Sequence, residues 1–198
     1  MIEKPSLSGS IEIKLPDWLY KMIKEDNRTY PTAEERMRFV IKLAKLNVEN
    51  KTGGPFGAAI FDLDTNRLIS AGVNLVVPAR CSILHAEMVV ISFAQKVIGY
   101  YNLGDSNAPR CELVSSTEPC AMCLGAIPWS GVESLVCGTR DKDVRRYGFD
   151  EGDKPVGWKR RLIKRGIKVQ RDVLRKNALE VIRLYHKNDG EIYNGYIK

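Results

Sequence analysis

Two short stretches bring together residue types that can do chemistry: His85-Ala-Glu87 and Pro119-Cys120-Ala-Met-Cys123. One imidazole and two thiols, the thiols separated by two residues, supply three of the four ligands of a tetrahedral zinc site. A structural site closes its fourth position with another Cys or His. The only other histidine, His186, lies far along the chain. A fourth position left to water is the mark of a catalytic zinc. Glu87 then stands beside the metal without being needed as a ligand. From there a carboxylate can take a proton from water and hand it on.

Both stretches open apolar segments of helical character. His85 opens HAEMVVISFAQKV, apolar nearly all round and so predicted to lie buried against a sheet. Cys120 opens CAMCLGAIPW, directly after the strand-like CELVSS. Helix N-termini suit both ligand types, because their positive end favours thiolate and disfavours imidazolium.

The rest of the chain must position these two ends. Leu15 to Tyr20 is a short apolar piece in which Pro16 opens a helical turn. Thr32 with Glu35 makes a capping box for a helix running to Asn50. Gly53-Gly54-Pro55 breaks that helix and leads into the strand GAAIFD, which a turn at 64–66 joins to a second strand, RLISAGVNLVV, as an antiparallel hairpin. Strand 111–116, the helix from Cys120 to Trp129 and strand 133–138 form a βαβ succession. A long connection, with a helix near 141–146, precedes a strand at 166–170 and predicts a parallel crossover. A helix at 172–187 and a tail through Tyr193 and Tyr196 follow.

H-x-E followed by P-C-x-x-C is the signature of zinc nucleobase deaminases. From about residue 35 onward the sequence resembles the cytidine-deaminase-like superfamily, with Gly53-Gly-Pro-Phe-Gly57 ahead of both motifs. Within it, STEPCAMCLGAIPW (116–129) and GFDEG (148–152) look most like the guanine deaminases. The resemblance implies a three-layer α/β/α fold, a mixed five-stranded sheet with helices on both faces. It also implies one Zn2+ per chain on His85, Cys120 and Cys123, a homodimer, and hydrolytic deamination of guanine to xanthine and ammonia. Amino-substituted heterocycles such as ammeline are related substrates.

The same resemblance assigns further residues. Asn74 matches the position whose amide binds substrate, Phe56 the residue that stacks on the base, and Trp129 a tryptophan able to wall the pocket or to cap its helix against the core. Glu151, or Asp150 if the turn points the other way, matches a second catalytic carboxylate. Guanine presents an edge that one acid does not cover, and a second acid can carry the last proton to departing ammonia. Tyr193 sits on a glycine-containing tail, 190–198, suited to a lid that keeps water out.

At 198 residues the chain is read as a single domain, 1–198, with a loose polar arm at 1–10. Hydrophobic residues at 44% and charged residues at 28% are ordinary for a globular protein. No apolar run approaches the ~20 residues of a membrane span, and the N-terminus does not open a secretory signal, which points to the cytoplasm and no membrane partner. Five cysteines, an odd number, fit poorly with a disulfide framework. The net charge of +7 concentrates in 159–176, KRRLIKRGIKVQRDVLRK, where Asp172 is the only acid. That stripe is either a solvated basic surface or a phosphate-binding footprint. The footprint would favour a tRNA adenosine deaminase over a guanine deaminase. Deamination of guanosine, or a zinc-stabilised RNA-binding module without catalysis, are the remaining readings. Glu87 argues against the last, because a structural site has no use for it.

Overall fold

The computed structural model describes residue 9 and residues 11–194, so the predicted arm and Tyr196 lie almost wholly outside the described residues. Helix α1 (Asp17–Lys24) begins at Pro16. Helix α2 (Ala33–Glu49) starts on the expected capping box: the Thr32 hydroxyl accepts from the Glu35 N–H, and the Glu35 carboxylate accepts from the Thr32 N–H. Strands β1 (Gly57–Asp62) and β2 (Leu68–Val73) form the antiparallel hairpin. After the short helix α3 (Val76–Ala79) come α4 (Ala86–Ile98), β3 (Cys111–Thr117), α5 (Ala121–Ser130) and β4 (Ser134–Thr139). Helices α6 (Asp141–Arg145) and α7 (Trp158–Lys164), strand β5 (Lys168–Gln170) and α8 (Arg175–Lys187) follow.

The sheet order is β2-β1-β3-β4-β5, and it is mixed. β1 pairs antiparallel with β2 and β3, whereas β3, β4 and β5 run parallel, as the long connection before β5 requires. Two glycines let the helices close on the two faces. A Cβ at Gly72 would lie 2.8 Å from the Val90 nitrogen of α4, and one at Gly57 would lie 2.8 Å from the Val40 oxygen of α2. Gly57 pairs with Val73 and Gly72 with Ala58, so these contacts fall on opposite faces. Helix α8 shares the α2 face, where Ala178 meets Gly138 of β4. Helix α4 buries Val89, Val90, Ile91 and Ala94. Each large apolar side chain so buried contributes about 1.5–3 kcal/mol of transfer free energy.

The sequence expectation fails at the end of β2. The strand stops at Val73, and part of the predicted LVV extension is helical. The Asn74 side-chain oxygen accepts from the Val76 N–H at 3.2 Å, a local turn that competes with the ladder and starts α3. Helix α7 and the shortness of β5 were also not expected. The basic residues of α7 carry no apolar period beyond Leu162, its one buried residue.

Candidate active site

Both motifs sit where helices begin on the same face of the sheet. His85 is the N-cap of α4 and Cys120 the N-cap of α5, each in extended backbone, so their side chains project past the helix ends. Cys123, in the first turn of α5, is fully buried. The donor atoms of His85, Cys120 and Cys123 lie within 4.8 Å of one another, with Cys120 Sγ 3.4 Å from His85 Nδ1. Two sulfurs and an imidazole converging at this spacing fit zinc, which takes this mixed set in tetrahedral sites. Glu87 is buried in the first turn of α4. Its Oε1 accepts from the Ser115 hydroxyl of β3 at 2.9 Å, and the Cys123 thiol donates to its Oε2 at 3.5 Å.

The titratable groups shift in different directions: Cys120 goes down, whereas Cys123, Glu87 and, against the expectation from its helix N-terminus, His85 go up. The Cys120 thiol is pulled down to about 4, foremost by a hydrogen bond with Cys123, with burial opposing and His85 assisting. The same Cys120 contact, then burial, pushes Cys123 well above its ordinary value. Burial works to lower the His85 pKa, but the hydrogen bond and charge of Cys120 outweigh it and the net shift is upward. Burial raises Glu87, and the charge on Cys120 adds to the rise. A raised pKa makes the Glu87 carboxylate a stronger base for a proton it must accept.

His85, Cys120 and Glu87 line a cavity of about 420 Å³. Glu151 also lines it and is only 5% exposed. Burial pushes its pKa up to about 8, with Lys154 pulling it back and Cys120, Glu87 and Asp141 adding to the rise. Asn74 also lines the cavity. Its oxygen is committed to Val76, and its buried Nδ2 has no hydrogen-bond partner among the described residues, leaving a donor for a ligand. Asn47, fully buried in α2, holds the backbone around it by donating to the carbonyls of Gly54 and Asn74. Gly53 packs so closely there that a Cβ would lie 1.9 Å from the Asn74 oxygen.

Phe56 is on the wall, edge to face with Phe149 at 5.0 Å between centroids. Tyr193 from the tail also lines the cavity, 5.5 Å from Phe149 and 6.3 Å from the His85 ring. Its buried hydroxyl has no hydrogen-bond partner among the described residues. The next residue fastens the tail: Asn194 donates to the Gly148 carbonyl and accepts from the Asp150 N–H, both at 2.8 Å. Eight of the nine residues singled out in the sequence therefore line or adjoin one cavity. Phe149, Asn194 and Asn47 were not singled out. Phe149 lies inside the GFDEG motif, which was the one signal available.

Trp129 corrects the expectation. It is 86% exposed and does not line the cavity, so it neither walls the pocket nor caps its helix against the core. Helix α5 buries Cys123, Leu124, Ile127 and Ser130, and the helical period puts position 129 on the opposite side. The basic stripe is likewise divided. Arg171 pairs with the buried Glu118 and lies over the Trp158 ring, and Arg175 pairs with Asp143 at 2.7 Å, leaving mainly α7 as free basic surface. No helix among the described residues is long and apolar enough to cross a membrane.

Residues 31–139 match the family model for the cytidine and deoxycytidylate deaminase zinc-binding region. The chain is similar to the guanine deaminase of Bacillus subtilis (strain 168), 36% identical over 129 residues, spanning 62% of this chain and 78% of that protein. Among solved structures it is similar to the guanine deaminase of Nitrosomonas europaea, with a TM-score of 0.87 and 42% identity over 91% of this chain and 98% of that one. It is also similar to a protein solved in complex with 2,6-diaminopurine, with a TM-score of 0.88 and 44% identity over 94% and 97% of the two chains.

Proposed function

This chain belongs to the cytidine and deoxycytidylate deaminase zinc-binding family, and from that premise we propose that it hydrolyses guanine to xanthine and ammonia. The observation that carries the reading is a second buried carboxylate, Glu151, facing the same cavity as Glu87. His85, Cys120 and Cys123 would hold zinc, which when bound would supply the Lewis acidity that lets water act as a nucleophile near neutral pH. Glu87, steadied by Ser115, takes the water's proton and passes it to a ring nitrogen beside the amidine carbon. Glu151, whose pKa burial pushes up, gives a proton to the departing amine and takes back the one released as the new C–OH becomes the carbonyl. Asn74 offers its free Nδ2–H to an acceptor on the purine. Phe56 and Tyr193 bound the heterocycle with aromatic surface and exclude water.

A tail fastened beside the cavity suits a free base better than a nucleotide in an RNA strand. Pairing of Arg171 with Glu118 and of Arg175 with Asp143 takes two cations from the basic stripe and weakens the nucleic-acid case. We read the protein as cytoplasmic and as a homodimer, for which the exposed Trp129 on α5 offers apolar surface. The test is ammonia release from guanine, guanosine, adenine, cytosine, ammeline and a tRNA anticodon stem. Guanine should lead, with a rate nearly flat between low and physiological salt, since no phosphates are neutralised. Glu87→Gln should keep one zinc per chain and lose at least ~10²–10⁴-fold in turnover. Inosine formation in the tRNA with guanine untouched would replace the reading.

A further inference from the structure

The Glu151 backbone is well held, since its carbonyl accepts from the Ala121 N–H at 2.9 Å where α5 begins. Its carboxylate is not: Oε2 is buried without a hydrogen-bond partner among the described residues. The cation that pairs with it is Lys154, whose side chain is only 8% exposed and whose Nζ stands 3.9 Å from Oε2. The same ammonium donates to the Pro119 carbonyl at 3.0 Å, one residue before Cys120, and meets Asp141 of α6 at 2.8 Å. A buried ammonium is expensive unless paired and hydrogen-bonded, so three partners from three segments fix its place. At 3.9 Å the ammonium is beyond hydrogen-bond distance, so it attracts the Glu151 carboxylate without donating to Oε2. Lys154 is not itself among the residues lining the cavity.

We propose that Lys154 is a positioning residue that ties the Glu151 turn to the loop bearing Cys120 and aims the second carboxylate at the substrate. The inference rests on the guanine deaminase reading above. Lys154 touches no reacting atom and acts through Glu151, which separates it from a residue that only supports the fold.

The test is a double-mutant cycle on zinc-loaded protein, with Lys154→Met and Glu151→Gln alone and together. Amide hydrogen exchange over 148–154 is followed in the chelator-treated proteins. Lys154→Met should lower kcat ~10–10²-fold, the usual effect of removing a supporting partner, with KM nearly unchanged and zinc retained. On the Glu151→Gln background its further effect should fall below about threefold, because residues acting as a unit are not additive. Exchange in the turn should quicken. If Lys154→Met does not fold, Lys154→Gln, which keeps a donor for Pro119, takes its place. An equal loss in both backgrounds, loss of zinc, or an unchanged kcat overturns the proposal. Should the wild type leave guanine untouched, the functional reading falls, and exchange alone decides: a turn that exchanges no faster in the variant refutes the positioning role.

Discussion

Replacing Glu151 by glutamine should make the protein less active and, above neutral pH, more stable. In the fold this carboxyl is lifted from an ordinary 4.5 to about 8, principally by burial. A group whose folded pKa is raised contributes its full stability below the unfolded value and loses it as pH rises through the folded one. At 1.36 kcal/mol per pH unit, ionising Glu151 in place subtracts up to about 5 kcal/mol by pH 9. Glutamine matches its shape and does not ionise, but buries an amide with unfilled hydrogen bonds at about 1–3 kcal/mol. The variant should therefore be weaker by about 1–3 kcal/mol at pH 4.5, and about 2–4 kcal/mol more stable at pH 9. Urea unfolding of chelator-treated protein at both pH values reads this directly. In zinc-loaded protein the gain should shrink, since the cation holds the carboxylate ionised at lower pH. Guanine turnover by the same variant should drop ~10²-fold. A stability difference that does not change with pH would refute the account of Glu151 as a buried, neutral acid.

Two other perturbations probe the cavity walls. Gly53→Ala would push a Cβ to 1.9 Å from the Asn74 carbonyl, a backbone atom with nowhere to go; chemical denaturation should show a loss of about 1–3 kcal/mol, as overpacking gives, and steady-state kinetics a raised KM for guanine. Removing residues 191–198 withdraws Tyr193 and the Asn194 contacts; KM should rise or kcat fall with the circular dichroism spectrum unchanged, and unaltered kinetics would show that the tail is not a lid.

Local chemistry was legible in the sequence, and direction in space was not. The capping box at Thr32 and Glu35 satisfies its own helix within four residues, so the pattern alone places the N-terminus of α2. The two N-cap ligands were equally readable, because thiol spacing and the start of an apolar run are neighbours in the chain. Trp129 was misread because matching a motif position ignores which side of a helix faces the sheet, and α5 is too uniformly apolar to show a face. Asn74 was legible as a residue, yet its effect on the strand was not: one side-chain hydrogen bond turns an apolar LVV run into a helical turn. Lys154 and Asn47 were invisible as functional candidates. Their partners, Pro119 and Asp141 for one and Gly54 and Asn74 for the other, are assembled only by the folded sheet.

The prospective metal donors and the cavity walls come from different kinds of segment, and this bears on how such an enzyme can change its substrate. His85, Cys120, Cys123 and Glu87 stand on the first turns of two helices packed on the sheet, where a shift would disturb the core. Phe56, Asn74, Glu151 and Tyr193 stand on connections and on the tail, outside every helix and strand. Connections tolerate insertion and exchange far better than packed elements do. Selection, or an engineer, can thus redraw the outline of the accepted heterocycle by swapping short loops while the hydrolytic centre is inherited unchanged.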